Sequence, residues 1–501
     1  MLSAPANEAR LAAILSVSSI ALWFFLGFPW EHHNESLVWA IELDKISFWD
    51  ALRSNPITTV QTWRPLGVAL AWLGFHLTQG GIWPQQLLNF ALTAATWLLA
   101  LHATPNRLGF AWLSFICGAG FFSGYIYLFH LHGVFYGPLF MFLAYLLVRE
   151  RREPALTWPV ALGLLALATV VALFHTFALL FVAAYIGGCW LENRRRGRPA
   201  SLPAAVVAIL LAAVATKLLV SRSTDLGQGG AMLGLLSSYR ALELKPLLSL
   251  LSMLLAVLAA VAAPGSSRQR LIRGGGALML AALLSALDVP VILAWITVCA
   301  LRSLFCGRLT LAALIAVTAL LPVATGTGSP TYALFVLMPC ILATIGGVEL
   351  SAFATSSLRR GAFIAIAATF AMLLALKLDV SVPIVDPLVQ PLRAEGEKTR
   401  QLQQMFAWLD QHPEVTGGLS LGMPGDFPVN SNNAIERNFR APTHAWPFGQ
   451  YLKARYGARL SQAEPQLRLC FGGETVQGGE ALHAIPGIWA GTATLERLGT
   501  P

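Results

Sequence analysis

Residues 30–66 read WEHHNESLVWAIELDKISFWDALRSNPITTVQTWRPL, and they follow directly on an apolar run, Leu11 to Phe28, long enough to cross a bilayer. Acidic side chains therefore enter where the chain would leave the membrane. Glu31, His32, His33, Asn34 and Glu35 crowd about one helical turn. Beyond them Glu42, Asp44 and Asp50 sit among Trp39, Ile41, Leu43, Ile46, Phe48 and Trp49. That mixture predicts an amphipathic helix in a membrane interface, with tryptophan at headgroup level and carboxylates turned to water.

The composition around this stretch points the same way. Apolar residues make up 56% of the 501, charged residues only 12%, and the mean hydropathy is +0.63. Such values predict a polytopic membrane protein. A formal charge of +9 would suit a nucleic-acid binder, but the basic residues lie in short clusters between apolar runs, as loop charges that orient helices do. Of six cysteines, Cys117, Cys189, Cys299 and Cys340 fall inside apolar runs, Cys306 in a basic loop and Cys470 in a polar tail, a spacing that spells neither a disulfide framework nor a zinc site. MLSAPANEAR and the run after it lack a small-residue cleavage pattern, so Leu11 to Phe28 is read as a retained first span.

Hydropathy predicts about thirteen transmembrane helices. Gly67 to Leu77, introduced by Pro65, is too short to cross and is read as a second interfacial helix. Spans are expected at Ile82–His102, Gly109–Phe129 and Val134–Val148, then as a tight hairpin, Ala155–Leu173 and Thr176–Leu191, turning at His175. Leu202–Val220 and Leu247–Ala262 follow, with SSRQRLIR read as a basic loop. Ala277–Leu287 and Val289–Leu301 flank Asp288 as short spans, and Leu309–Val323, Ala333–Val348 and Ala362–Leu378 complete the series. With the N-terminus cytoplasmic, Arg107, Arg149–Arg152, Arg194–Arg198, Arg268–Arg273, Arg302 with Arg308, and Arg359 with Arg360 all fall on the cytoplasmic side. The opposite side receives the loop at 30–80, His130 to His132, His175, Ser221 to Pro246 and the tail.

The expected fold is thus an all-α membrane domain over 1–378, carrying a small α/β domain over 379–501 on the outer face. In the tail a helix is expected at Glu395–Gln411 and another at Trp446–Tyr456, with strands near Gly418–Leu421 and Leu467–Phe471.

Taken singly, Glu42, Asp44 and Asp50 read as solvated loop charges. The Glu31 to Glu35 cluster is different, because two carboxylates and two imidazoles so close together invite proton transfer, metal binding or both. His32 and His33 are adjacent and cannot both face one ion from a regular helix, which favours a general base over zinc. Arg64 reads either as an interfacial arginine snorkelling beside Trp63 or as a phosphate clamp and partner of Glu31 or Glu35. His130, His132 and His175 would reach the same face from two other turns. Arg222, Arg240 and Lys245 follow the seventh span as candidates for a lipid-linked phosphate, their ordinary use being contact with lipid headgroups.

An acidic first external loop followed by aromatic-Arg-Pro-Leu resembles the GT-C glycosyltransferases that use polyprenyl-phosphate sugars. The likeness is to the protein O-mannosyltransferases carrying tetratricopeptide repeats and to their bacterial relatives. Asn34-Glu35 stands where that family has an Asp-Asp pair, Trp63-Arg64-Pro65-Leu66 where it has Tyr-Arg-Pro-Leu, Gly80-Gly81 at its turn and Asn89 in its second span. Phe174-His175-Thr176 takes the place of a Ser-Lys-Glu turn. The likeness covers roughly the first 190 residues. It implies a bacterial inner-membrane enzyme moving a sugar from an undecaprenyl-phosphate carrier to a lipid, glycan or protein acceptor on the periplasmic side. Glu35 or Glu31 would then be the base, Arg64, Arg222 and Arg240 would hold the donor phosphate, and His32, His33, His130, His132 and His175 would line the substrate site. No cofactor is required by this chemistry, although His130, His132 or the acids could hold a divalent cation. Two other readings compete. A transporter or flippase should carry charges within its spans, where this chain has only Lys217 and Asp288. A non-catalytic envelope assembly protein of the same shape would follow if the Asp to Glu exchange had removed the activity.

Overall fold

The computed structural model describes residues 4–27, 42–53, 63–77, 83–104, 137–152, 155–220, 246–261, 265–287, 291–325, 404–416, 420–422, 459–460, 467–470, 479–488 and 491–498, with a few isolated positions besides. These residues are mainly helical. α1 (Ala4–Gly27), α2 (Phe48–Arg53), α3 (Pro65–Leu77) and α4 (Trp83–Ala103) come first, and α5 spans 137–151. α6 (Trp158–Ala172), α7 (Phe177–Arg195), α8 (Leu202–Val220), α9 (Pro246–Val261), α10 (Ser267–Ala286), α11 (Ile292–Phe305) and α12 (Leu309–Thr325) follow. Polar residues in the tail form α13 (404–411) and the short α14 (Pro413–Thr416) beside five strands.

α7 is the hub. It packs on α6, α8 and α12, and α12 passes the contact on to α11, which meets α9 and α10. At Gly188 a Cβ would sit 2.6 Å from Thr310 Cα, so only a hydrogen there lets α7 and α12 touch backbone to backbone. The core is built of fully buried Phe181, Tyr185, Trp295 and Phe110 with Ala, Leu and Ile between them. Facing outwards are large apolar residues: Leu210, Leu211, Val214 and Leu218 on α8, and Leu278, Met279 and Leu283 on α10. Among the described residues one helix segment, Leu202–Leu219, is long and apolar enough to cross a membrane, and several shorter ones are comparably apolar.

The turns at one end are closed by chemistry visible in the sequence. Gly197 (φ 63°) and Gly307 (φ 73°) each occupy the left-handed position after a helix. Arg198 N–H donates to Asn193 O at 2.9 Å and Arg308 N–H to Ser303 O at 2.8 Å, the six-to-one bond of a glycine-terminated helix. The same end brings Leu156 beside Ala200 through a parallel bridge.

Among the described residues most expected helices lie near their predicted places, including the short helix at Pro65 and the hairpin turning at His175, whereas the spans expected at Gly109–Phe129, Ala333–Val348 and Ala362–Leu378 fall almost wholly outside the described residues. SSRQRLIR is the clear correction. It is not a loop but the start of α10, set by a capping box: Ser266 Oγ accepts from Gln269 N–H while Gln269 Oε1 accepts from Ser266 N–H. Ala277–Leu287 therefore belongs to a 20-residue helix, not a short one.

In the tail, the strand order is β2 (Arg459–Leu460), β1 (Ser420–Gly422), β3 (Leu467–Cys470), β5 (Ala493–Leu498), β4 (Gly479–Ile485). β2, β1 and β3 pair in parallel, and β5 pairs antiparallel with both β3 and β4, a mixed sheet. β1 and β3 match the two predicted strands, while β2, β4 and β5 lie where no strand is expected. Gln401 ties the helical segment to the sheet by donating to Ile485 O at 3.2 Å and Gly491 O at 2.7 Å. The expected helix at Trp446–Tyr456 lies outside the described residues.

Candidate functional site

Two ends of the helical assembly carry its polar chemistry, and α7 connects them. It runs 19 residues from Phe177 to Arg195, roughly 28 Å at 1.5 Å per residue. His175 stands just before its first residue and the basic cluster at its last turn.

At the His175 end, the segment Trp63 to Leu66 meets the α6–α7 turn: Leu66 N–H donates to Leu173 O at 3.3 Å. That bond joins two stretches more than a hundred residues apart in sequence and places Arg64 and His175 at one end. A third segment arrives from just before α5. The Arg64 guanidinium lies 5.2 Å from the centre of the Phe135 ring, a cation–π distance. Phe135 itself is fully buried and presses so closely on Gly67 that any side chain there would overlap the ring. Pro65 begins α3 where a missing N–H costs nothing, which leaves Arg64 as the residue before the helix.

His175 is buried, at 2% exposure. Its Nδ1 accepts from Phe177 N–H at 3.4 Å, one of the donors that a helix start leaves open. With Nδ1 accepting, the neutral ring carries its proton on Nε2. Its ring lies 4.7 Å from that of Phe177. In that tautomer Nε2 is the donor, while Nδ1 is taken up by the helix start.

Asp50 is explained by local structure. Its Oδ2 accepts from Ser47 Oγ at 2.6 Å and Ser47 N–H at 3.1 Å, and its own N–H donates to Ser47 Oγ at 3.2 Å. This reciprocal cap starts α2, and the Ser47 hydroxyl is the main reason the carboxyl is held below its usual range. Ser47-Phe48-Trp49-Asp50 is the S-x-x-D pattern that would have announced it.

Glu31, His32, His33, Glu35, His130, His132, Arg222 and Arg240 lie outside the described residues. Of the predicted site, Arg64 and His175 are described, and they are brought to the same end. Phe135 and Gly67 were not foreseen, because nothing in either sequence neighbourhood signals their contact.

The opposite end holds a charge network that joins four turns. Arg308 donates to Glu150 through Nε at 2.9 Å and Nη2 at 2.6 Å. Burial opposes the guanidinium charge, but this bidentate contact outweighs it and holds Arg308 above its ordinary pKa. Glu192 accepts from Thr310 N–H at 3.2 Å and Thr310 Oγ1 at 3.0 Å, and pairs with Arg196 at 3.0 Å. Arg151 reaches across to His102 O and Thr104 O. A cavity of about 280 Å³ lies among these groups, every one of which is engaged in the network. Its chemistry is that of a clamp between helix ends. Among the described residues, no group of three or more His, Cys, Asp and Glu gathers as a metal site would require.

Comparison with protein-family models, with curated proteins and with solved structures finds no match to this chain.

Proposed function

We propose that the chain is a multi-pass membrane glycosyltransferase of the GT-C kind, with about thirteen spans. It takes a sugar from an undecaprenyl-phosphate carrier and gives it to a lipid, glycan or protein acceptor at the His175 end, which faces the periplasm of a bacterial inner membrane. The observation that carries this reading is the Leu66–Leu173 hydrogen bond, which sets Arg64 beside the His175 turn about 28 Å along α7 from the basic turns. That separation is close to the roughly 30 Å hydrocarbon core of a bilayer. Outward-facing leucines on α8 and α10, with acids and arginines turned inward at one end, also favour lipid as the surrounding medium.

In the reaction, an acceptor hydroxyl oxygen attacks the anomeric carbon. Its proton passes to Glu35 or Glu31, and the bond from that carbon to the phosphate oxygen breaks with its electron pair on the phosphate. Arg64, with Arg222 or Arg240, takes up the charge that appears there. A phosphate ester leaves without an acid, so a base and cations suffice. His175 and the imidazoles of His32, His33, His130 and His132 border the sugar.

Replacing Glu31 and Glu35 singly by Gln, and following sugar transfer from a polyprenyl-phosphate donor by the purified chain, tests the assignment. One of the two variants is expected to lose about a hundredfold or more in rate. Two variants as active as the parent would overturn it.

A further inference from the structure

α9, α10 and α11 pack mutually and leave a groove of about 310 Å³ between them. Its walls are Ala260, Ala277, Leu280, Val298, Leu301 and Phe305, while Arg273 and Arg302 stand in the same lining. An apolar trough carrying two guanidinium groups matches one kind of molecule, an anionic amphiphile. The volume falls at the lower end of the roughly 300–1,000 Å³ of small-molecule sites and accepts one hydrocarbon chain.

Three consecutive glycines, Gly274, Gly275 and Gly276, make this shape. A Cβ at Gly274 would lie 2.9 Å from Val261 Cγ2, so this glycine lets α10 close on α9. A Cβ at Gly276 would meet nothing within 4 Å, so the absent side chain there is what keeps the groove open. Around the mouth, Leu271 and Ile272 are exposed beside Arg268, Arg270 and Arg273, the mixture of a helix start lying at headgroup level. Phe305 is exposed at the end of α11, next to the turn whose Arg308 holds Glu150. The groove therefore opens at the basic end, far from Arg64.

We propose that this groove binds one phospholipid of the leaflet at the basic end, its phosphate held by Arg273 and Arg302 and one acyl chain lying over Gly276. The inference rests on the membrane placement above and not on sugar transfer. Bound there, the lipid would join α9, α10 and α11, which the clamp of Glu150, Arg308, Glu192 and Thr310 leaves on its outer side.

The test uses the full chain in detergent, with native mass spectrometry to count lipids retained from equal phosphatidylglycerol and phosphatidylcholine. The parent is expected to keep one phosphatidylglycerol in preference. Arg273→Gln, at an exposed position, should weaken retention about fivefold, from the contribution of one interfacial cation. Gly276→Phe should abolish it by filling the trough, while Gly275→Phe, on the same helix but outside the lining, leaves it unchanged. Added glycerol phosphate should not displace the lipid. Equal retention of both lipids, or Gly276→Phe behaving as the parent, would overturn the proposal, and displacement by glycerol phosphate would replace the lipid by a free phosphate. Carbonate extraction of cell membranes separates the two premises. A chain released by carbonate refutes the membrane placement, whereas a chain that stays and shows no lipid preference refutes only the groove.

Discussion

Glu150→Gln removes one charge from the clamp at the basic end while nearly preserving shape. Glu150 keeps only 4% of its side-chain exposure and accepts two guanidinium bonds on separate oxygens, at 2.9 and 2.6 Å, so the variant leaves Arg308 with a neutral partner in which one of those acceptors has become an NH2 donor. Breaking a fully buried pair from one side costs about 3–5 kcal/mol. Arg308 retains 27% exposure, so water recovers part of that cost, and roughly 2–3 kcal/mol remains. The measurement is a double-mutant cycle with Glu150→Gln, Arg308→Gln and both together, read by thermal unfolding of the full chain in detergent. The two single variants should each lose most of that stability, and the double variant should lose little more than either. Additive losses, meaning a coupling under about 0.5 kcal/mol, would refute the idea that these residues act as a pair.

Other positions make separate demands. Gly188→Ala should destabilise by about 1–3 kcal/mol or more, because its methyl meets the Thr310 backbone and cannot be accommodated by a rotamer; a melting temperature equal to the parent's would contradict the packing of α7 on α12. Gly67→Ala must displace the Phe135 ring and with it the Arg64 guanidinium, so transfer should fall together with stability, both read on the same preparation. In the tail, Trp408 stacks with His412 at 4.1 Å and with His483 at 5.1 Å. Burial first, and the His412 charge second, hold His483 below its ordinary pKa of 6.5. The unfolded chain then binds the proton more readily, so stability should fall as pH drops through about 6.5 towards the lower folded value, and His483→Gln should flatten that slope in unfolding curves.

Hydropathy alone placed most of the described helices, because each is bounded by a feature that a sequence displays: Pro65 before α3, the His175 turn, Gly197 and Gly307 at helix ends. The start of α10 escaped for a physical reason. Four charged or polar residues in RQRLIR look like a loop when a helix is taken to begin where lipid begins, yet Ser266 and Gln269 are a capping box and start it earlier. β4 and β5 escaped because GEALHAI and ATLERL do not alternate cleanly between apolar and polar residues. At the candidate site, the Trp-Arg-Pro-Leu segment and His175 were legible as polar residues at span ends. Their meeting was legible only through the predicted orientation of the spans, and the contact of Gly67 with Phe135 was not legible at all. Close approach of a glycine to an aromatic ring 68 positions away leaves no periodic trace in the chain.

Whether this end of the protein transfers sugar is tested most directly by reconstituting the purified full chain in liposomes with undecaprenyl-phosphate sugars and measuring carrier release. The parent should turn the carrier over, and Arg64→Gln should cut the rate constant about a hundredfold or more, as loss of one cation from the departing phosphate requires. A parent that releases no carrier from any sugar offered, or an Arg64→Gln variant as fast as the parent, would contradict the proposed chemistry.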